Sequence, residues 1–231
     1  MAAAGGHHLI MLGPPGAGKT ILARSFVDLL PPLNDSASLQ VATIYSSIGL
    51  ERADHNRAPF HDPHHSISSA AMVGGGQQHQ PGEVALAYMG ILFLDELPHF
   101  KPATLDSLRE PIETGYAVMA RAKYRVSFPC EIQLMAAMNP CPAGRSWKQD
   151  DCRCGPNEVS KNRSRVSGPL LDRIALHIQV PELDQLLLAS LQKQKSATED
   201  PLPRLKEKVN AAMQSQISRQ GCLNVNLSGE V

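Results

Sequence analysis

The chain has 231 residues, 42% of them apolar, and its 22 basic and 22 acidic side chains cancel to zero net charge. This is enough apolar material for one large α/β domain, or for one domain and part of another. No apolar run approaches about 18 residues, which excludes a membrane-spanning helix, and a neutral chain has no global field to draw it to nucleic acid, so any such contact must come from a local patch or an assembly.

The first informative stretch is LIMLGPPGAGKTILARSF, residues 9–26. Leu9 to Leu12 form a short apolar run, as a strand buried on both faces should. Residues 21–30 follow with apolar side chains at 22, 26, 29 and 30, a helical spacing, and Pro31-Pro32 stops them. Between strand and helix lies Gly13-Pro14-Pro15-Gly16-Ala17-Gly18-Lys19-Thr20, a G-x-x-x-x-G-K-T loop in the context that phosphate binding requires. Its glycines let the backbone turn and present N–H groups to phosphate oxygens, and the helix N-terminus adds positive partial charge. Lys19 is expected to reach the β- and γ-phosphates of ATP, and Thr20 to ligate Mg²⁺.

Residues 36–50 read as a helix capped by Asp35 or Ser36. Residues 51–82 are rich in His, Pro, Gly and Ser and read as a long insert of the functional kind. Within it His61, Asp62, His64 and His65 have the look of metal ligands. Helical character resumes from Glu83 to Tyr88. Ile91 to Leu94 form a second buried strand, with Asp95 and Glu96 at its C-terminal end, the edge at which open α/β sheets bind ligands. Asp95 is the candidate Mg²⁺ contact, directly or through water, and Glu96 the candidate base that polarises the attacking water.

Pro102 to Ile112 reads as one helix, with Leu105, Leu108 and Ile112 on a face. Residues 116–128 read as a β-hairpin whose tip gathers Arg121, Lys123 and Arg125. Ile132 to Met138 is a third apolar strand ending at Asn139, which either holds the attacking water or turns the chain before Pro140. Residues 174, 176, 178 and 180 alternate as a strand. Helices are expected at 183–191 and 202–219, broken at Glu199-Asp-Pro-Leu-Pro. The segment 223–231 looks like a loop entering a further helix, so the chain is expected to be part of a longer protein.

Together the motifs GGHHLIMLGPPGAGKT, DPHHSIS…MVGGG, PGEVALAYMGILFLDELPHF, AAMNPCP and SGPLLDRI resemble the magnesium-chelatase-like branch of the AAA+ ATPases, and within it the YifB/ComM family. The likeness covers nearly the whole chain. It implies a P-loop NTPase fold: a parallel sheet flanked by helices, a helix-2-type insert, a β-hairpin insert and the start of a helical lid. The α/β core would span 1–181, and the truncated lid 182–231. The resemblance favours the water-holding role for Asn139. It also implies hexameric rings with ATP between subunits, and it places at Arg173 the arginine that reaches a neighbour's γ-phosphate, an effect worth about 10³–10⁵ in rate for related arginine fingers.

The same resemblance points the 116–128 hairpin into the ring's pore, where Arg121, Lys123 and Arg125 would meet phosphates of single-stranded or branched DNA. His64-His65 belongs to the family's insert motif, which suggests a structural or inter-subunit role, whereas His61 and Asp62 stand where the family more often has Arg and Ala. The family's Cys-Pro-Cys-Gly reads Cys141-Pro142-Ala143-Gly144 here. Cys141, Cys152 and Cys154 are then one ligand short of a tetrahedral zinc site, and zinc is not expected unless Cys130 or a histidine completes it. Five cysteines beside an ATP-dependent core point to the cytoplasm. Three activities follow from the resemblance: a DNA motor acting in branch migration, a chelatase-like ATPase, or a nucleotide-gated scaffold.

Overall fold

The computed structural model describes residues 1–75, 80–121, 124–143, 154–182 and 200–227, with backbone only at 120–121 and 124–125. In chain order the elements are α1 (Ala2–Gly5), β1 (Leu9–Leu12), α2 (Lys19–Phe26), α3 (Asp35–Ser46), β2 (Phe60–His61), α4 (Ser69–Val73), β3 (Gly74–Gly75), β4 (Gln80–Pro81), α5 (Glu83–Leu86), β5 (Ile91–Leu94), α6 (Pro102–Asp106), α7 (Arg109–Thr114), β6 (Tyr116–Arg121), β7 (Tyr124–Pro129), β8 (Gln133–Met138), α8 (Pro156–Arg163), α9 (Gly168–Leu171), β9 (Leu176–Gln179) and α10 (Leu202–Gln220).

Five strands form one sheet in the order β2-β5-β8-β1-β9, and every neighbouring pair is parallel. The central strands are apolar throughout because both faces are covered. Alternate side chains enter two separate cores. Ile10, Leu92, Leu94, Leu134 and Ala136 pack on one face with Val41 and Ile44 of α3. Leu9, Met11, Ile91, Phe93 and Met135 pack on the other with Ala23 of α2 and with Val27. β9 is an edge strand, and from His177 to Gln179 its side chains are exposed. The alternation read at 174–180 therefore marks a shorter strand with little burial.

Several local expectations change. The cap of α3 is Asn34, whose side chain accepts from the Ala37 N–H at 2.8 Å, rather than Asp35 or Ser36; such a cap contributes about 1 kcal/mol. α2 buries Ala23, while Ile21 and Leu22 are 71% and 49% exposed. Leu22 is thus not on the inward face, whereas Phe26 and Leu30 do pack against the core beside Ala23, whose small side chain fits where the helix lies close to the sheet. The stretch 102–112 is two short helices, with a break at Ser107-Leu108. Residues 51–82 are not wholly an insert: Phe60–His61 pairs with β5 as the sheet's edge strand. Two residues are too few to show a strand period. The hairpin forms as expected, with Val118 opposite Ser127 and Tyr116 opposite Pro129. The helix expected at 183–191 lies outside the described residues. α10 packs on α1, where the Gln216 side-chain amide donates to Ala4 O at 2.8 Å.

His8, just before β1, accepts at Nδ1 from the Leu134 N–H at 3.0 Å. Burial, and secondarily His7, holds its pKa down at about 4. The unfolded side chain titrates near 6.5. Between those values the unfolded chain binds a proton that the folded chain does not, so stability is lost as pH falls from about 6.5 towards 4, by about 3 kcal/mol in all. Urea denaturation of the wild type and of His8→Asn across this window should differ in slope, since Asn can accept the same bond but does not titrate. Equal slopes would refute the assignment.

Candidate functional site

Because β5, β8 and β1 are adjacent and parallel, the segments that follow them meet at one edge of the sheet. β1 runs into the Gly13–Gly18 loop, and α2 begins at Lys19 with Gly18 as its cap. Gly16 and Gly18 have φ of 78° and 80°, the left-handed region that favours glycine. A Cβ built at either meets nothing within 4 Å, so the loop faces open space there. Gly13 has a different task. A Cβ at that position would lie 2.3 Å from the Val180 carbonyl oxygen, where the chain leaving β9 bonds to Leu12 O through the Val180 N–H at 2.7 Å.

Lys19 is only 8% exposed. Its ammonium donates to Gly13 O at 2.7 Å, Pro14 O at 2.8 Å and Asn139 Oδ1 at 3.0 Å, so all three of its protons have acceptors. Burial lowers its pKa from the usual lysine range, and the nearby Asp95 and Glu96 carboxylates oppose that shift. Asn139 thus joins the loop from the end of β8. The Thr20 hydroxyl donates to Asp95 Oδ2 at 2.7 Å. Glu96, with φ 51° and ψ 47°, opens a tight turn through His99. Its N–H is held by Asp95 Oδ1 at 2.9 Å, and its Oε2 accepts from His99 Nδ1 at 3.0 Å. A loop of main-chain donors, a buried ammonium, and a hydroxyl beside a carboxylate form a donor set that suits a polyphosphate carried with a divalent cation.

Part of the site could not be placed from sequence. Asp62, Pro63, His64 and His65 line a cavity of about 280 Å³ together with Thr20, Asp95 and Glu96. Asp62 is also bonded to Arg24 of α2 at 2.6 Å. His61 points elsewhere, to Glu83 and to the Tyr45 hydroxyl, each at 2.6 Å. The His-Asp-Pro-His-His run was visible as chemistry, but its position depends on the two-residue strand that precedes it. His99 was missed; the signal was its place three residues after Glu96, since a tight turn aligns i and i+3.

Other candidates lie apart. Arg173 precedes β9 and so stands towards the opposite edge of the sheet, where it is bonded to Glu113 and to Pro169 O. Lys123 and Cys152 lie outside the described residues, as do the side chains of Arg121 and Arg125. Cys141 is buried and Cys154 partly so. Burial pushes the Cys130 thiol up to about 12. Among the described residues no three His, Cys, Asp or Glu side chains assemble a metal cluster, and no helix is long and apolar enough to cross a membrane.

A central parallel sheet flanked by helices, with a glycine loop between its first strand and helix, defines an α/β core of the P-loop, AAA+-like kind. The chain belongs to the YifB/ComM family of magnesium-chelatase-like AAA+ proteins. The family described as magnesium chelatase, subunit ChlI, matches residues 1–188. The chain is 42% identical to YifB of Salmonella typhimurium over 231 residues, covering 99% of this chain and 45% of that protein. It is 42% identical to competence protein ComM of Haemophilus influenzae over 232 residues, covering 100% of this chain and 45% of that protein. It is 22% identical to magnesium-chelatase subunit ChlI of Euglena gracilis over 230 residues, covering 87% of this chain and 59% of that protein. The chain therefore spans less than half the length of its YifB and ComM relatives.

Proposed function

We propose that the chain is the ATP-binding and hydrolysing module of a longer AAA+ protein that acts as a ring-shaped motor on single-stranded or branched DNA. The observation that carries the ATPase reading is the convergence of Lys19, Asn139, Thr20 and Asp95 through bonds of 2.7 to 3.0 Å. Main-chain N–H groups from Gly16 to Thr20 bind the phosphates, and Lys19 gives up carbonyl acceptors for phosphate oxygens. Thr20 and Asp95 hold Mg²⁺. When bound, ATP with Mg²⁺ supplies the scissile phosphoanhydride and the charge that offsets its oxygens. Glu96 takes the proton from the attacking water, and Asn139 orients that water. Arg173, away from this edge of its own subunit, serves the site of a neighbour, as a hexamer would allow.

The DNA step rests on likeness to ComM, whose name ties that relative to competence, and on the basic residues Arg121, Lys123 and Arg125. The match to magnesium chelatase supports a second reading, an ATPase that drives a chelatase-like or scaffolding change without DNA. Hydrolysis by the full-length protein, with and without forked and four-way-junction DNA, decides between them. Strong stimulation is expected; intact ATPase indifferent to DNA would favour the second reading. The double variant Arg121→Ala, Lys123→Ala should weaken DNA binding and reduce the slope of log affinity against log salt by about 2 per subunit engaged. An unchanged slope would remove the hairpin from the DNA contact.

A further inference from the structure

We propose that His99 is a positioning residue for Glu96, and that His65 of the 51–82 segment holds His99 in place. The proposal rests on the reading of Glu96 as the residue that activates water. Glu96 has a left-handed backbone, uncommon for a residue other than glycine, and its N–H is tied to Asp95. The main chain is thereby pinned, but the side chain is half exposed and has several rotatable bonds. Among the described residues one side chain bonds its carboxylate. The His99 Nδ1–H donates to Oε2; an ionised carboxylate can only accept, so the ring nitrogen is the donor. That bond occupies one oxygen and leaves the other able to accept from water.

His99 is restrained in turn. Its ring meets His65 edge to face at 5.7 Å and 64°. His65 lies against His64 at 4.1 Å and against Phe100 at 6.4 Å and 77°. Phe100 is 2% exposed and belongs to the core beneath the sheet. A line of ring contacts thus runs from the core through His65 and His99 to the Glu96 carboxylate. Displacing the His64-His65 wall would release His99 and free Glu96 to rotate. The effect should fall on turnover rather than on nucleotide affinity, because the phosphate-binding loop takes no part in these contacts.

The first test needs no nucleotide. In the ¹⁵N-histidine-labelled chain, Glu96→Ala and His65→Ala should each move the His99 ring-nitrogen resonances, assigned from their loss in His99→Asn. If neither variant moves them, the proposed contact line does not exist. The second test uses the full-length protein. His99→Ala should lower kcat for ATP about tenfold, as expected for losing one exposed hydrogen bond to a charged group, with KM changed less than about twofold. His99→Asn should restore most of the rate, since its amide can donate as Nδ1 does. An unchanged kcat in His99→Ala, or no recovery in His99→Asn, would overturn the proposal. Glu96→Gln serves as the parallel arm. If it abolishes turnover while His99→Ala does not slow it, the positioning role fails and the reading of Glu96 survives. If Glu96→Gln still turns over normally, both fail.

Discussion

Replacing Glu96 with Gln is expected to lower ATP hydrolysis about 10²–10⁴-fold, the usual contribution of a positioned general base. Nucleotide should still bind, because the amide leaves Gly13–Thr20 and Asp95 untouched. The isosteric change keeps an acceptor for His99 and alters only the ability to take a proton. The measurement is phosphate release by the full-length protein, beside titration with a fluorescent ATP analogue. Retained binding with lost turnover assigns the base. Retained turnover would move that role to another group, and lost binding would show that Glu96 supports the loop instead. This outcome is sensitive to the backbone as well as the carboxylate, because the left-handed conformation at Glu96 aims the side chain at the cavity shared with His64 and His65. Strained conformations of this sort persist where the surrounding structure over-determines them, here through the bond from the Glu96 N–H to Asp95.

The second large effect is on stability. Phe93→Ala is expected to cost about 3–5 kcal/mol. Phe93 is fully buried in β5 and stacks on Phe60 of the edge strand at 6.0 Å and 26°. Its removal leaves a cavity that the central strands cannot easily close, since β5 is held between β2 and β8. It also removes an apolar contact of the two-residue strand that carries Asp62 to the site. Urea denaturation should therefore show a lower midpoint with a similar slope. Limited proteolysis should report earlier cleavage in the segment around residues 51–65. A loss below about 1 kcal/mol would mean that the core here is not close-packed.

The outcome for Asn139 illustrates how the two kinds of information combine. From the residues it was an amide before Pro140 that could also have formed a turn, and the resemblance favoured the water-holding role. In the fold it bonds Lys19 at 3.0 Å across a separation of 120 residues. Asp95 was similar: its place after an apolar run was plain, and its partner Thr20, 75 residues away, was named only as another contact of the same ion. Arg173 was read as reaching a neighbour's phosphate, and the parallel sheet places it away from the loop of its own chain.

The sequence by itself determined the parts whose cause is local. Apolar runs long enough to be covered on both faces marked β1, β5 and β8. The glycines of the phosphate-loop motif marked the turn into α2, and the carboxylates following β5 marked the site's edge. Only the tertiary structure decided what depends on distant packing: Ala23 rather than Leu22 faces inward, Phe60–His61 closes the sheet's edge, and His65 stands against His99. These have no periodic signature, because a two-residue strand and a small buried alanine gain their burial from neighbours far along the chain. The candidate site's residues were therefore legible one by one, while its walls were set by the order in which five parallel strands assemble.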